Sequence, residues 1–176
     1  MKLTLDHNCV IDLVKQTATG AFVRNAAENP AHQCLVVNIG ASEMRARGVE
    51  AGRYDKFEEL LTEAGIPHLS RLDPMGMWDI TFWDRCVWAD DNTVKLSDEI
   101  ETILFGAKLT GMPPGGIDSP EGKKWLNRLC DAHSLWCHIH YKNDVFLTSD
   151  ANFTKETKLP RLLAIGTGRI CSPQDL

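Results

Sequence analysis

Short apolar runs alternate along this chain with longer segments of helical periodicity, and this alternation limits the available folds more than any other feature. Lys2–Leu5 and Val145–Thr148 are predicted strands, and Cys34–Val37 is a β-branched run suited to a strand covered on both faces. His68–Leu72 is a fourth candidate. Strands that alternate with helices are typical of a parallel sheet between helical layers. The sequence therefore predicts an α/β fold, a three-layer α/β/α sandwich with a central, mostly parallel sheet.

The helical segments are predicted from apolar residues at helical spacing and from the glycines and prolines that follow them. The predicted helices are Cys9–Lys15, Gly20–Glu28, Ser42–Arg47, Arg53–Ala64, Asp98–Lys108 and Trp125–Tyr141.

The length of 176 residues predicts one domain, which should bury roughly 70% of the surface of its unfolded chain. A segment at about residues 75–116 interrupts the alternation, and we interpret it as an insertion on that domain. It carries three of the five tryptophans, Trp78, Trp83 and Trp88. Alternation at Trp78, Ile80 and Phe82 suggests a strand or an apolar clasp. Packing or a partner surface is favoured over base stacking, because the neighbouring acids would repel a phosphate chain.

The formal net charge is −5, from 19 Lys and Arg against 24 Asp and Glu. Three basic and eight acidic residues between Arg71 and Glu101 account for all of it, so the rest of the chain is balanced. This argues against a protein that simply coats nucleic acid.

Neither a signal peptide nor a membrane-spanning helix is predicted, because Asp6 interrupts the start and no uncharged stretch approaches about 20 residues. The six cysteines form no CxxC pair. We therefore expect a cytoplasmic protein with reduced, mostly buried thiols.

Four acids follow or flank the predicted strands. Asp6 follows Lys2–Leu5, Asp150 follows Val145–Thr148, Glu43 lies in the first turn of its predicted helix, and Asp131 lies early in the long helix. Reactive groups of a parallel sheet gather beyond the carboxyl ends of its strands. Converging carboxylates repel one another unless a cation lies among them, and Mg²⁺ and Mn²⁺ prefer such oxygen ligands. Taken alone, an Asp after a strand is more often a turn residue or an N-cap than a ligand. Glu43 could simply favour the helix dipole, and Asp131 could be a solvated helix residue.

A zinc site is a competing interpretation of one helical segment. Cys130, His133, Cys137 and His140 have ligand-forming side chains, but on one continuous helix they extend over about 15 Å. Tetrahedral zinc needs all its ligands within about 2.3 Å of the ion. Structural packing is therefore the favoured interpretation.

Three stretches resemble conserved blocks of the PIN-domain nucleases. They are LTLDHNCVIDL from Leu3, VVNIGASEMRARG from Val36 and LCDAHSLWCHIHYKNDVFLTSDANF from Leu129. The tail RICSPQDL also resembles the family's last strand and exit. Position by position, the resemblance implies an acidic site of Asp6, Glu43, Asp131 and Asp150, supported by Asn8, Thr148 and Asn152.

This resemblance implies metal-dependent hydrolysis of RNA phosphodiester bonds with Mg²⁺ or Mn²⁺ as cofactor. Many members are toxin ribonucleases of bacterial toxin–antitoxin pairs, which implies an antitoxin-like protein inhibitor or a homodimer as partner. Arg45 and Arg47, just beyond Glu43, are candidates for binding the RNA phosphates.

Two other functions remain open at this point. A phosphatase of the haloacid-dehalogenase type also begins with a strand followed by an Asp. Its chemistry requires a second acid two residues after that Asp, and this chain has Asn8 there. A non-catalytic PIN-like scaffold would instead bind a protein through the acidic, Trp-containing insertion.

Overall fold

Five parallel strands form the central sheet of the computed structural model, which describes all 176 residues. The strands are β1 (Lys2–Leu5), β2 (Gln33–Val37), β3 (Ser70–Leu72), β4 (Val145–Leu147) and β5 (Arg169–Cys171). Their order across the sheet is β3-β2-β1-β4-β5, so the first strand is central and β2 and β4 are its neighbours.

Seven α-helices flank this sheet. They are α1 (His7–Val14), α2 (Ala18–Glu28), α3 (Ile39–Glu43), α4 (Tyr54–Glu63), α5 (Asp91–Phe105), α6 (Pro120–His140) and α7 (Leu159–Ala164). Three 3₁₀ turns cover Met44–Arg47, Trp83–Arg85 and Pro173–Asp175.

The core is divided into two clusters, one on each face of the sheet. Successive strand residues point to opposite faces, so Leu35 and Val37 join the cluster that holds Trp136 of α6. Val36, between them, joins the cluster that holds Phe57 of α4. The sheet thus lies between two helical layers, and the predicted three-layer α/β/α sandwich is confirmed.

A buried polar network fixes the end of α6 to the central strand. Nε2 of His138 lies 2.6 Å from the Thr167 carbonyl, and its Nδ1 lies 2.9 Å from the Thr4 hydroxyl. The oxygen of that hydroxyl accepts a hydrogen bond from the Asn143 side-chain amide at 2.8 Å. Burial lowers the pKa of His138 to about 4, so the ring is neutral. Because a carbonyl only accepts, Nε2 carries the proton and Nδ1 accepts from Thr4. This network sets the position of α6 relative to β1.

α1, α2 and α3 begin two or three residues earlier than predicted, and α5 and α6 begin seven and five residues earlier because their first turns are polar. α5 begins at Asp91 instead of Asp98, after a capping box in which Asp90 and Thr93 exchange hydrogen bonds. α6 begins at Pro120 instead of Trp125, where the Ser119 hydroxyl accepts from the Gly122 amide at 3.0 Å. Caps, not apolar periodicity, determine both starts.

The segment between β3 and α5 contains no strand at Trp78–Phe82, so the strand alternative for the alternating residues is wrong. Asp79 has a φ of 57°, in the left-handed region, which breaks an extended run. Ile80 is buried, but all three tryptophans of the segment are exposed, so they do not pack into the core.

The six cysteines are all free, and five of them are buried; Cys86 is partly exposed. None of the helices has the length and apolar composition needed to span a bilayer.

Candidate functional site

Asp6 and Asp150 lie beyond the carboxyl ends of the two neighbouring strands β1 and β4. The Asp6 amide donates to the Leu147 carbonyl at 3.0 Å, which continues the β1–β4 pairing as far as the acid itself. Pairing of adjacent parallel strands therefore brings together two acids that are 144 positions apart in sequence.

Thr148 joins these two acids through its hydroxyl group. It is buried, donates to Asp6 Oδ2 at 2.7 Å and accepts from the Asp150 amide at 3.0 Å. Asp6 also caps α1, because its Oδ1 accepts from the His7 amide at 2.8 Å. The carboxylate of Asp6 is thus held in one orientation, and it serves as a helix cap whatever else it does.

Glu43 and Asp131 reach the same region from helices α3 and α6. Their positions within these helices differ from the predicted positions. Glu43 is the last residue of α3, not a first-turn residue, because the helix starts at Ile39 directly after β2. Asp131 lies near the middle of α6, not early in it, since that helix starts at Pro120. α3 packs against α6, and this contact brings the two acids towards the strand ends.

The charges of Asp6, Glu43 and Asp150 all reach Asp131, so the four acids lie in one part of the molecule. Burial, followed by the charges of Asp6, Glu43 and Asp150, raises the pKa of Asp131 to about 9. The pKa of Glu43 is raised to about 8 by burial and by Asp6, and that of Asp6 to about 6 by burial and by Asp150. The Thr148 hydrogen bond lowers the Asp6 pKa but does not outweigh burial. At neutral pH these shifts favour the protonated forms of Glu43 and Asp131 and leave Asp6 mostly charged.

The site contains little positive charge to offset this repulsion. None of the four acids belongs to an ion pair, and neither Glu43 nor Asp131 accepts a hydrogen bond that would lower its pKa. Arg47 is the one cation whose charge lowers the Glu43 pKa. Apart from Arg47, Lys158 is the other cation whose charge reaches one of the acids, Asp150, so the site is short of positive charge.

The four acids are not already arranged to ligate one ion directly. No three His, Cys, Asp or Glu side chains in the protein are placed to ligate a single metal. The chemistry of the donors nevertheless fits a hydrated divalent ion. Mg²⁺ keeps several waters and binds through one or two carboxylates, so the remaining acids would contact it through water. The donors of the zinc interpretation lie along unbroken α6 instead, and His140 is exposed.

The supporting residues differ in how closely they are connected to the acids. The backbone amide of Asn152 donates to Asp150 Oδ1 at 2.8 Å, and the side-chain oxygen of Asn152 accepts a hydrogen bond from the Lys158 ammonium group. Asn8 lies partly buried on α1 beside Asp6 and makes no side-chain hydrogen bond. From the sequence, Lys158 is predicted only as one of the basic residues beyond Asp150 that fit phosphate binding, not as a supporting residue.

The two candidate phosphate-binding arginines have different surroundings. Arg47 is exposed and close enough to Glu43 to lower its pKa. Arg45 instead donates to the Asp79 carbonyl, so its guanidinium holds the insertion against the turn after α3. Arg47 is therefore the better placed of the two to meet an anion near the carboxyls.

Two histidines beside the acids are buried, and their imidazole rings make no hydrogen bonds. His7 follows Asp6 and His133 lies two residues after Asp131; neither ring nitrogen of either residue has a partner. Burial lowers their pKa values, to about 3 for His7 and about 4 for His133, so both rings are neutral. Orphaned buried polar atoms are rare in native proteins. Adjacency to the acids was the only sequence signal for His7.

No protein-family model matches the chain, and a search of curated proteins finds no matching sequence. The resemblance to the PIN-domain nucleases therefore stays a prediction that depends on the motifs quoted from the sequence.

Proposed function

We propose that this protein is a divalent-metal-dependent endoribonuclease, with Asp6, Glu43, Asp131 and Asp150 as its metal-binding and catalytic acids. The observation that supports this most is that Asp131 lies close enough to the other three acids for their charges to raise its pKa, while no ion pair or hydrogen bond offsets this effect. Such a site is costly to a protein unless it serves binding or chemistry, and perturbed carboxyls cluster at functional sites.

Mg²⁺ or Mn²⁺ would supply Lewis-acid polarisation of the scissile phosphate and a hydroxide nucleophile from water. Thr148 would keep the Asp6 carboxylate oriented towards the ion, since its hydroxyl already fixes Oδ2 at 2.7 Å. Asn152 orders the turn that presents Asp150, and Asn8 is available as a further polar contact. Arg47 would bind a phosphate of the RNA, with Arg45 in a secondary role.

The wider biological role follows from the resemblance. A toxin of a toxin–antitoxin pair would act on cytoplasmic RNA, and its six free thiols suit a reducing compartment. We therefore propose an antitoxin-like protein inhibitor as partner, and a homodimer as the assembly.

Cleavage of an end-labelled RNA pool by purified protein in Mg²⁺, Mn²⁺ or chelator tests the function. Asp6→Asn and Asp150→Asn should each lower the cleavage rate roughly 100-fold or more, since each removes a charge that holds the ion. Glu58→Gln, on the exposed face of α4, is the matched control and should cleave like wild type. Equal cleavage by wild type and both Asp variants, or cleavage that persists in chelator, would exclude these acids as the catalytic centre.

A non-catalytic scaffold is the second candidate, and the exposed tryptophans of the insertion are the observation that favours it. The same assay separates the two. Absence of cleavage by folded wild type in either metal, together with a co-purifying protein, would support the scaffold function.

A further inference from the structure

Three neighbouring tryptophans lie exposed on the segment between β3 and α5. Trp78, Trp83 and Trp88 are 79%, 60% and 86% exposed, although Trp is usually among the well-buried residues. The Trp78 and Trp83 rings meet edge to face at a centroid distance of 4.8 Å, and the Trp83 and Trp88 centroids are 5.9 Å apart. These residues form one contiguous apolar surface, which we call the Trp cluster.

The cluster is held by an ordered loop. The Gly76 amide donates to the Val87 carbonyl at 2.8 Å, and the Val87 amide donates to the Pro74 carbonyl at 2.9 Å, which closes the base of the loop. The buried Ser42 hydroxyl of α3 donates to the Ile80 carbonyl at 2.6 Å, which anchors its middle. Preorganised side chains lose little entropy when they bind a partner.

Negative charge surrounds the cluster. Between residues 78 and 91 stand four acids and one base: Asp79, Asp84, Asp90, Asp91 and Arg85. A groove of about 760 Å³ runs beside Trp78 and Trp83, and its charged lining residues are one arginine and three acids: Arg45, Glu50, Asp79 and Asp118. This surface repels phosphates and attracts cations.

Exposed indole rings beside carboxylates match the chemistry of arginine. A guanidinium stacks on an indole face, where the ring quadrupole attracts its charge, and it also pairs with carboxylates. Lysine, a compact and strongly hydrated charge, uses such a surface less well. RNA bases could stack on the rings, but the acidic rim opposes the RNA backbone.

We propose that the Trp cluster and its acidic rim bind an arginine-rich segment of a partner protein. Apart from Arg45, which lines the groove, this surface is formed by residues outside the proposed nuclease site. The proposal is therefore independent of the nuclease function and holds or fails without it.

Fluorescence anisotropy with labelled octa-arginine and octa-lysine peptides tests this proposal on the full-length chain. Wild type should bind octa-arginine several-fold more tightly than octa-lysine. The double variant Trp78→Ala/Trp88→Ala should weaken octa-arginine binding about tenfold, since two cation–π contacts are lost. Both rings are largely exposed, so the variant should fold, and an unchanged thermal melting curve checks this.

Two further variants separate aromatic stacking from general charge attraction. Asp79→Asn/Asp84→Asn should weaken octa-arginine binding several-fold, and Asn tolerates the positive φ of residue 79. Glu58→Gln/Glu63→Gln removes the same charge from the acidic face of α4, which has no tryptophan beside it, and should change binding less than twofold.

Several results would overturn the proposal. One is that wild type does not bind octa-arginine, and another is that the α4 and Trp variants lose octa-arginine affinity equally. A third is that a labelled oligouridylate binds the Trp cluster and binds it more tightly after Asp79→Asn/Asp84→Asn. Conversion of a wild-type dimer to a monomer by the Trp variant, measured by sedimentation, would instead make a second copy of this chain the occupant.

Discussion

Replacing Asp131 with Asn should make the unfolding free energy of the metal-free protein less sensitive to pH. The substitution keeps the size of the side chain and removes one of four mutually repelling carboxyls. Asp131 accepts no hydrogen bond that lowers its pKa, so no stabilising contact of the charged form is lost with the charge.

The magnitude follows from the pKa of Asp131, which is about 9 in the folded protein against 3.8 for an unperturbed carboxyl. The folded state keeps a proton that the unfolded chain releases. The contribution of Asp131 to stability is therefore fully present below about pH 4 and falls by about 1.4 kcal/mol per pH unit as the pH rises towards 9. From pH 5 to pH 7 the wild type should lose about 3 kcal/mol of unfolding free energy through this group. Glu43 and Asp6 act in the same direction.

Urea denaturation at pH 5 and pH 7 in the presence of a chelator measures this loss. Between the two pH values, Asp131→Asn should lose about 3 kcal/mol less than wild type, and Glu58→Gln should behave like wild type. Adding Mn²⁺ at pH 7 should stabilise the wild type more than Asp131→Asn, because a cation offsets the repulsion. If wild type and Asp131→Asn lose stability in parallel, Asp131 does not titrate in a shared acidic site and the reasoning is refuted.

Two further substitutions test the surroundings of the site. Thr148→Val should destabilise the protein by about 1–2 kcal/mol in urea denaturation, because the hydroxyl that donates to Asp6 is lost. It should also slow RNA cleavage roughly tenfold or more. A cleavage rate within twofold of wild type would contradict an orienting role for Thr148. Gly40→Ala should cost about 1–3 kcal/mol, because its Cβ would lie 2.7 Å from Nδ1 of buried His7. Gly111→Ala, where a Cβ meets nothing within 4 Å, is its control in thermal melting, and equal melting temperatures would show that His7 and the nearby Phe57 ring move aside.

The strands could be predicted closely because their apolar runs are short and bounded. β1 begins and ends at the predicted residues, with Asp6 directly after it. The predicted start of α6 is five residues too late, since Lys123 and Lys124 delay the apolar periodicity while Ser119 and Pro120 already start the helix. Local capping chemistry was present in the sequence but was outweighed by the pattern of apolar residues.

The candidate site was predictable only in part, for a geometric reason. The sequence placed Asp6 and Asp150 at strand ends, where the parallel sheet alone brings them together. The position of Asp131 depends on where α6 crosses the sheet, and the crossing is set by tertiary contacts such as that of His138 with Thr4. Exposure of the tryptophans was likewise beyond prediction, since alternation of large apolar residues usually indicates burial.

The central position of β1 determines when the acidic site can exist during synthesis. β1 pairs with β2 early in the chain, but its other neighbour, β4, is made more than 130 residues later, and Asp150 comes later still. Contacts between such distant segments form slowly, because a large loop must close first. A ribosome-bound chain therefore carries Asp6 and Glu43 without their partners, and the complete set of carboxyls assembles only after nearly all of the polypeptide has emerged.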